Sequence, residues 1–470
     1  MVHSVNSKNS KCLSVFCLPS KGCQASSLRR SALDQYGVSC NKFIQSKSRL
    51  GFSALIVGVC LLVAARNVSG QEALRISMAG DLAAESQHQA DSSIGYYNLL
   101  LGRTAWRFSS GLNLEYDDNV RLEQNGESDL IFQPSLNTQM HWPLTLKNSL
   151  DFSLGVGYSE YLQHQDLSQF FINPGSGFSF DIFVGDFKIN LHDRITITEN
   201  TYQNPGAGGG NQNLESLENT AGIGSLWDLN KILINGGYDH VNYVSLSSQA
   251  GQQPDAASEN IYINSGVKVR PEFLIGLEAG GTLISYSQEN SQNSPVIPDA
   301  VQWNAGAFVS SQISEYLNAR LDVGYSDYAP DSTSTNLFTS DSSGFYFSFS
   351  LSHRVNRFLN YTLTAGRSTD LSAYGEAQTY YFVNLTPNWN FLKKYSVSTP
   401  ISWRQGTTVY SGAAGSSENY DQVQLGLNVG RSLTKNLSAG ISYQFVRETS
   451  NLASFNYTVN NVSLNFNYQF

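Results

Sequence analysis

Beyond residue 70 the chain carries six histidines: His88, His141, His164, His192, His240 and His353. Imidazole is the side chain best matched to proton transfer near neutral pH. A hydrolytic site on a strand would set histidine and serine two residues apart on one face. No histidine here has serine two residues after it. His192-Asp193 and Asp239-His240 are adjacent pairs, and neighbours on a strand point to opposite faces. Neither is an acid/base dyad, which leaves lumen or interface positions for these histidines. Gly206-Ala207-Gly208-Gly209-Gly210 lacks the following Lys-Ser/Thr of a phosphate loop, so flexibility explains it better. Asp117-Asp118-Asn119 offers oxygen ligands to a cation, but a solvated loop tip is the simpler reading. These residues point away from an enzyme and require no cofactor or metal.

The elements that carry these side chains are strands. Trp106, Phe108, Leu112, Leu114 and Tyr116 alternate with Arg107, Ser109, Gly111, Asn113 and Glu115. The same alternation sets Phe345, Phe347, Phe349 and Leu351 against Ser348, Ser350, Ser352 and Arg354. Near the end, Val462, Leu464, Phe466, Tyr468 and Phe470 oppose Ser463, Asn465, Asn467 and Gln469. Strict period-two alternation means a strand with different surroundings on its two faces. About eighteen such strands follow residue 104, and no helical period does. Short connections such as Gly185–Asp186 and Pro271–Glu272 alternate with long polar ones, of which 203–215 is among the longest. Short periplasmic turns and long extracellular loops are the layout of an outer-membrane barrel. The expected fold is therefore all-β, a transmembrane antiparallel up-and-down β-barrel of about 18 strands.

Composition agrees. Charged residues are only 14% of the 470, while Gly (39), Tyr (25) and Phe (25) are abundant. Residues 1–49 are basic with one acid, Asp34, and Leu50–Ala65 is apolar. Val68-Ser69-Gly70 then presents modest side chains before Gln71, as a secretory signal does. Val59 is too bulky for Cys60 to form a lipoprotein site. We expect a cleaved signal over 1–70, a periplasmic lead-in over 71–103 and a barrel over 104–470. Without 1–70 the chain keeps 20 basic and 37 acidic residues, a net −17, which argues against a nucleic-acid partner. All five cysteines lie within the first 60 residues, so no disulfide or thiolate site exists beyond them. Tyr158, Tyr161, Tyr243, Tyr286, Tyr325 and Tyr328 on the loop side, with Trp142, Trp227, Tyr316, Trp389 and Tyr395 on the turn side, suggest two interfacial girdles.

Projected alternation selects the lumen-lining candidates. The basic ones are Arg107, Lys188, Arg194, Lys268, Arg270, Arg320, Arg354 and Arg404. The acidic ones are Glu115, Asp151, Asp181, Asp239, Glu278 and Asp322. Most of the basic ones fall near the periplasmic ends. They would form an anion-favouring zone there unless the charges pair across strands. Asp193 falls on the presumed lipid face between Leu191 and Ile195, where a bulge, a subunit contact or a register shift would explain it.

Arg107–Val120 (RFSSGLNLEYDDNV), the hairpin repeats and the C-terminal Phe470 resemble the putative beta-barrel porins associated with exopolysaccharide operons. The ending Leu464, Phe466, Tyr468, Phe470 resembles the signal that barrels present to their assembly machinery. The resemblance implies a multi-pass protein of the bacterial outer membrane. Its partners would be outer-membrane lipid, periplasmic chaperones and the assembly machinery. The expected function is a pore for passive passage of small polar solutes. The alternatives are a barrel that exports or anchors an exopolysaccharide, with Tyr262, Tyr346 and Phe382 as sugar platforms or gap fillers, and a non-conducting structural barrel. The last strand should close onto Arg107–Tyr116. Deleting Phe470 should impair membrane insertion, read as loss of the heat-modifiable gel band. Normal assembly of the truncation would count against this reading.

Overall fold

The structure, a computed structural model, describes residues 97–199, 215–246, 255–287, 298–331, 342–371, 377–391, 394–409 and 417–470. A three-residue strand, β1 (Leu99–Leu101), precedes the wall. The wall begins with β2 (Thr104–Asp117), β3 (Asp129–Pro143), β4 (Ser149–Tyr161), β5 (Gln169–Val184) and β6 (Phe187–Glu199). It continues with β7 (Glu215–Asp228), β8 (Ile232–Ser245), β9 (Ala256–Arg270), β10 (Phe273–Tyr286), β11 (Ala300–Ser314) and β12 (Leu317–Pro330). Then come β13 (Ser342–Arg354), β14 (Leu359–Leu371), β15 (Ala377–Phe391), β16 (Tyr395–Ser398) and β17 (Ile401–Val409). The chain finishes with β18 (Ser417–Ser432), β19 (Leu437–Ser450) and β20 (Tyr457–Gln469).

Each wall strand pairs antiparallel with the next, and β20 returns to β2, with Gln469 opposite Ser109 and Asn461 opposite Asp117. The sheet therefore closes and leaves no edge. Proline accounts for two of its irregularities. Pro400, with no N–H to donate, splits one wall strand into β16 and β17, both held between β15 and β18. Counted as one, they make the wall eighteen strands. In β5, Pro174-Gly175 forces register shifts against β4 and β6. There the Ser176 hydroxyl accepts from the Gly155 N–H at 3.0 Å, replacing a ladder bond. Tight turns rest on backbone that favours glycine or asparagine: Gly185 has φ 65° and Asn230 also 65°.

The last strand closes where expected, with an addition. Leu99–Leu101, read from sequence as part of the lead-in, is a strand. It pairs with Thr104–Trp106 of β2, beyond the point where β20 stops. Phe470 N–H donates to Phe108 O, and the Asn98 side chain bonds both Phe108 O (2.9 Å) and Phe108 N–H (3.1 Å). Asn98 thus fills the gap between the two ladders. Three apolar residues are too few to show alternation, so this strand was hidden. Residues 71–96 lie outside the described residues.

Burial is inverted relative to a soluble domain. Leu277 is 69% exposed on the outer wall, while Asp322 is 0% exposed on the lumen side. Along the inner face, aromatics lie flat over glycines of the preceding strand. Tyr262 covers Gly237, Phe308 covers Gly276, Tyr346 covers Gly324, and Phe382 covers Gly366. A side chain at Gly324 would overlap the Tyr346 ring. Gly324→Val should therefore destabilise the barrel by about 1–3 kcal/mol, the usual cost of overpacking. Urea unfolding in vesicles checks this, with Tyr346→Ala expected to restore part of the loss.

Candidate functional site in the lumen

Closure turns alternation into two surfaces, and the inward one carries the chemistry. Near β10 to β13 five side chains converge. Arg320 holds Asp322 through Nε (2.8 Å) and Nη2 (2.6 Å), and stacks on the Phe308 ring at 4.4 Å. Nη2 also lies 3.6 Å from Glu278, which accepts from the Tyr346 hydroxyl at 2.6 Å. Among the described residues, buried Arg320 Nη1 and Asp322 Oδ2 have no hydrogen-bond partner. This cluster joins four strands, and it reaches across because Gly306 and Gly324 carry no side chain beneath Tyr346.

A second network spans β5 to β8. His192 Nε2 meets Asp239 at 2.8 Å, and its Nδ1 meets Asn190 at 2.9 Å. Asn190 donates to Asp181 at 2.7 Å, and Lys188 lies 3.3 Å from the same carboxylate. His192 and Asp239 sit two strands apart, and a side chain on the intervening Gly222 would collide with both. Nearby, His141 pairs with Asp151 at 2.5 Å. Sequence reasoning judged each histidine against its chain neighbours and so missed these pairs. The spacing signal exists only once the register is known.

The extracellular mouth is built differently. Residues 118–128 form the first loop, and Leu122 in it has φ 52°. Leu122 packs against Val446, Tyr457 and Val459 of the inner face, and Val120 against Ile131, Tyr161 and Leu167. The loop therefore folds over the lumen side. Asp117-Asp118-Asn119 is not a solvated tip, because Asp117 is 0% exposed. Asp117 accepts from the Asn119 N–H at 2.7 Å, and Asp118 accepts from the Asn460 side chain at 2.7 Å. The next loop, 162–168, docks onto the first through Arg121–Asp166 (2.7 Å) and His164, which bonds Glu127 (2.8 Å) and Asp129 (3.0 Å).

The family described as putative beta-barrel porin 2 matches residues 108–470. The chain belongs to this family. Its fold is similar to that of Pseudomonas aeruginosa OccK2 (OpdF), solved in complex with glucuronate, at 10% identity over 79% of this chain and 99% of that one, TM-score 0.45. Acinetobacter baumannii OccAB2 is similar at 11% identity over 79% of this chain and 98% of that one, TM-score 0.44. P. aeruginosa OccD3 (OpdP) is similar at 11% over 79% and 92%, TM-score 0.43. No curated protein sequence matches.

Within this porin-family barrel the candidate lumen residues divide by partner. Asp151, Asp181, Lys188, Asp239, Glu278, Arg320 and Asp322 belong to the networks above. Lys268 pairs with Asp228 at 2.6 Å. Glu115 accepts from Asn113 at 2.9 Å and also from Asn461. Arg404 lies over the Tyr380 ring at 5.5 Å. Arg107 sits in the inward row opposite Gln139, and Arg194 in that row opposite Gly177 and Thr220. Arg270 and Arg354 end their strands and are exposed. Among the described side chains, six further carboxylates share the inward row: Asp117, Asp129, Glu218, Asp228, Glu418 and Glu448. The lumen row is therefore not predominantly basic. Among the loop-side tyrosines, Tyr161, Tyr243, Tyr286 and Tyr328 also face inward, which corrects the expected upper girdle. Tyr325 faces outward there as expected, joined by Trp303, Tyr381 and Trp403. His240 and His353 lie on the outer wall, and His88 falls outside the described residues.

Burial alone would pull the His164 imidazole down, but Glu127 and Asp129 outweigh it and hold its pKa above the ordinary 6.5. The hydrogen bond from Arg121 holds the Asp166 carboxyl below its usual range. A raised histidine stabilises the docked loops fully below its unfolded pKa and loses that contribution as pH rises through the folded value. Protease cleavage within 118–128 and 162–168 should therefore increase from pH 6 toward pH 9. In His164→Asn this rise should disappear.

Proposed function

We propose that the barrel is an outer-membrane pore for passive passage of small polar solutes. One observation carries this reading: the sheet closes on itself, and its inward row carries polar and charged side chains from β2 round to β20. Such a wall offers hydrogen bonds to a passing solute. Membership of the porin family supports an outer-membrane channel. Phe382 gives no support to polysaccharide export, because it is 4% exposed and lies against Gly366 rather than presenting a stacking face.

The inward carboxylates outnumber the inward cations, and six of them (Glu115, Asp117, Asp129, Glu218, Glu418 and Glu448) lie toward the extracellular end. The pore should therefore favour cations weakly, opposite to the anion preference expected from the basic residues alone. Purified protein in planar bilayers should give discrete conductance steps and a cation-side reversal potential in a salt gradient. Removing the loop contacts with Arg121→Ala and His164→Ala should enlarge the step. Absence of any step from protein shown to be folded would sink the pore reading in favour of a structural barrel. Clear anion selectivity would restore the basic-zone reading.

A further inference from the structure

Asp193 stands on the outer wall of β6 between Leu191 and Ile195, on the side that faces lipid. Its height follows from the register. Cross-strand partners lead from Trp106, near the periplasmic end of β2, through Phe178 to Asp193. They continue through Ala221, His240 and Glu259 to Ala329, near the extracellular end of β12. Strands in a barrel tilt, so this line climbs the wall. Asp193 is the fifth of its eleven positions, which is mid-wall. The middle of the outer wall elsewhere carries residues such as Leu277, Phe347, Leu425 and Ile441, all exposed. Only hydrocarbon would face Asp193 in a lone barrel, and an ionisable group there is costly unless partnered.

The neighbouring outer wall is polar as well. Asn219 of β7 donates to Asp193 Oδ1 at 2.6 Å. Glu259 of β9 is bonded by the Tyr238 hydroxyl and by His240 Nδ1, the latter at 2.8 Å. Two groups remain open: Asp193 Oδ2 and His240 Nε2 have no hydrogen-bond partner among the described residues. They flank β7, where Ala221 presents only a methyl group between them.

We propose that this sector is the interface between two copies of the barrel, related by a two-fold axis along the membrane normal beside Ala221. A two-fold contact is self-complementary. It places Asp193 opposite β8 of the second copy, so that its open oxygen meets the open nitrogen of His240 of the partner subunit a few ångströms higher on the wall. The imidazole is then held between two carboxylates and leaves none of these groups in lipid. The small side chain of Ala221 lets the two walls approach closely, as small residues do between membrane elements.

Native mass spectrometry of the full chain extracted in detergent should show a dimer for the wild type. Asp193→Leu and His240→Phe should give monomers that still show heat-modifiable gel mobility, since both substitutions suit a lipid-facing position. A second measurement locates the axis. With the five N-terminal cysteines changed to serine, Ala221→Cys should crosslink to a dimer in native membranes under mild oxidation, and Leu277→Cys should not. A monomeric wild type overturns the proposal. So does a dimer that survives Asp193→Leu, or one in which Leu277→Cys crosslinks and Ala221→Cys does not.

Discussion

Hydrocarbon offers no hydrogen bonds, so every backbone N–H and C=O at membrane depth must be satisfied within the sheet. The rest of this structure depends on that constraint. It requires β20 to find β2, and it explains the care taken at the seam. Where β20 runs out, Phe470 donates its last N–H to Phe108, the Asn98 amide bridges, and β1 continues the ladder. It also explains why the prolines are answered locally, with Ser176 replacing a lost ladder bond in β5 and two short strands sharing the place that Pro400 interrupts. Only after closure do inward and outward acquire meaning.

The inward glycines convert that closed ladder into a site. A polar side chain on a flat sheet normally reaches only its direct or diagonal neighbour. Here Gly222 lets His192 reach Asp239 two strands away, and Gly306 with Gly324 lets Tyr346 reach Glu278 three strands away. The resulting networks tie strands together from inside, where a soluble protein would use a hydrophobic core. They also neutralise lumen charges, which links the stability of the wall to the chemistry of the passage. The mouth follows the same economy. The first loop folds inward and is held by two small apolar clusters and three charged contacts. Asp193 belongs to neither system, which is why its surroundings point outward, toward another copy.

Sequence reasoning reached the strands, their approximate number, the turn and loop sides and the closing partner. Each of these rests on alternation or on turn residues, which are local. Its lumen candidates came from the same parity, and it left out Asp117, Asp129, Glu218, Asp228, Glu418 and Glu448. It erred where alternation is blind. Leu99–Leu101 is too short to alternate. Asp117 and Asn119 look like an exposed tip until the first loop folds over them. Elsewhere parity was informative and residue type misled: Tyr161, Tyr243, Tyr286 and Tyr328 share the inward parity of their strands, although aromatic type suggested a girdle.

The chain's own residue order determined that this protein is a barrel with polar and apolar faces, because period-two alternation and the spacing of turns are written into consecutive residues. What only the tertiary structure decided is which charges meet. Asp239 acquires His192 from 47 residues away, and Asn461 reaches Glu115 from 346. Such pairs depend on strand register and on where a glycine leaves space, and both are properties of the closed wall rather than of any single segment.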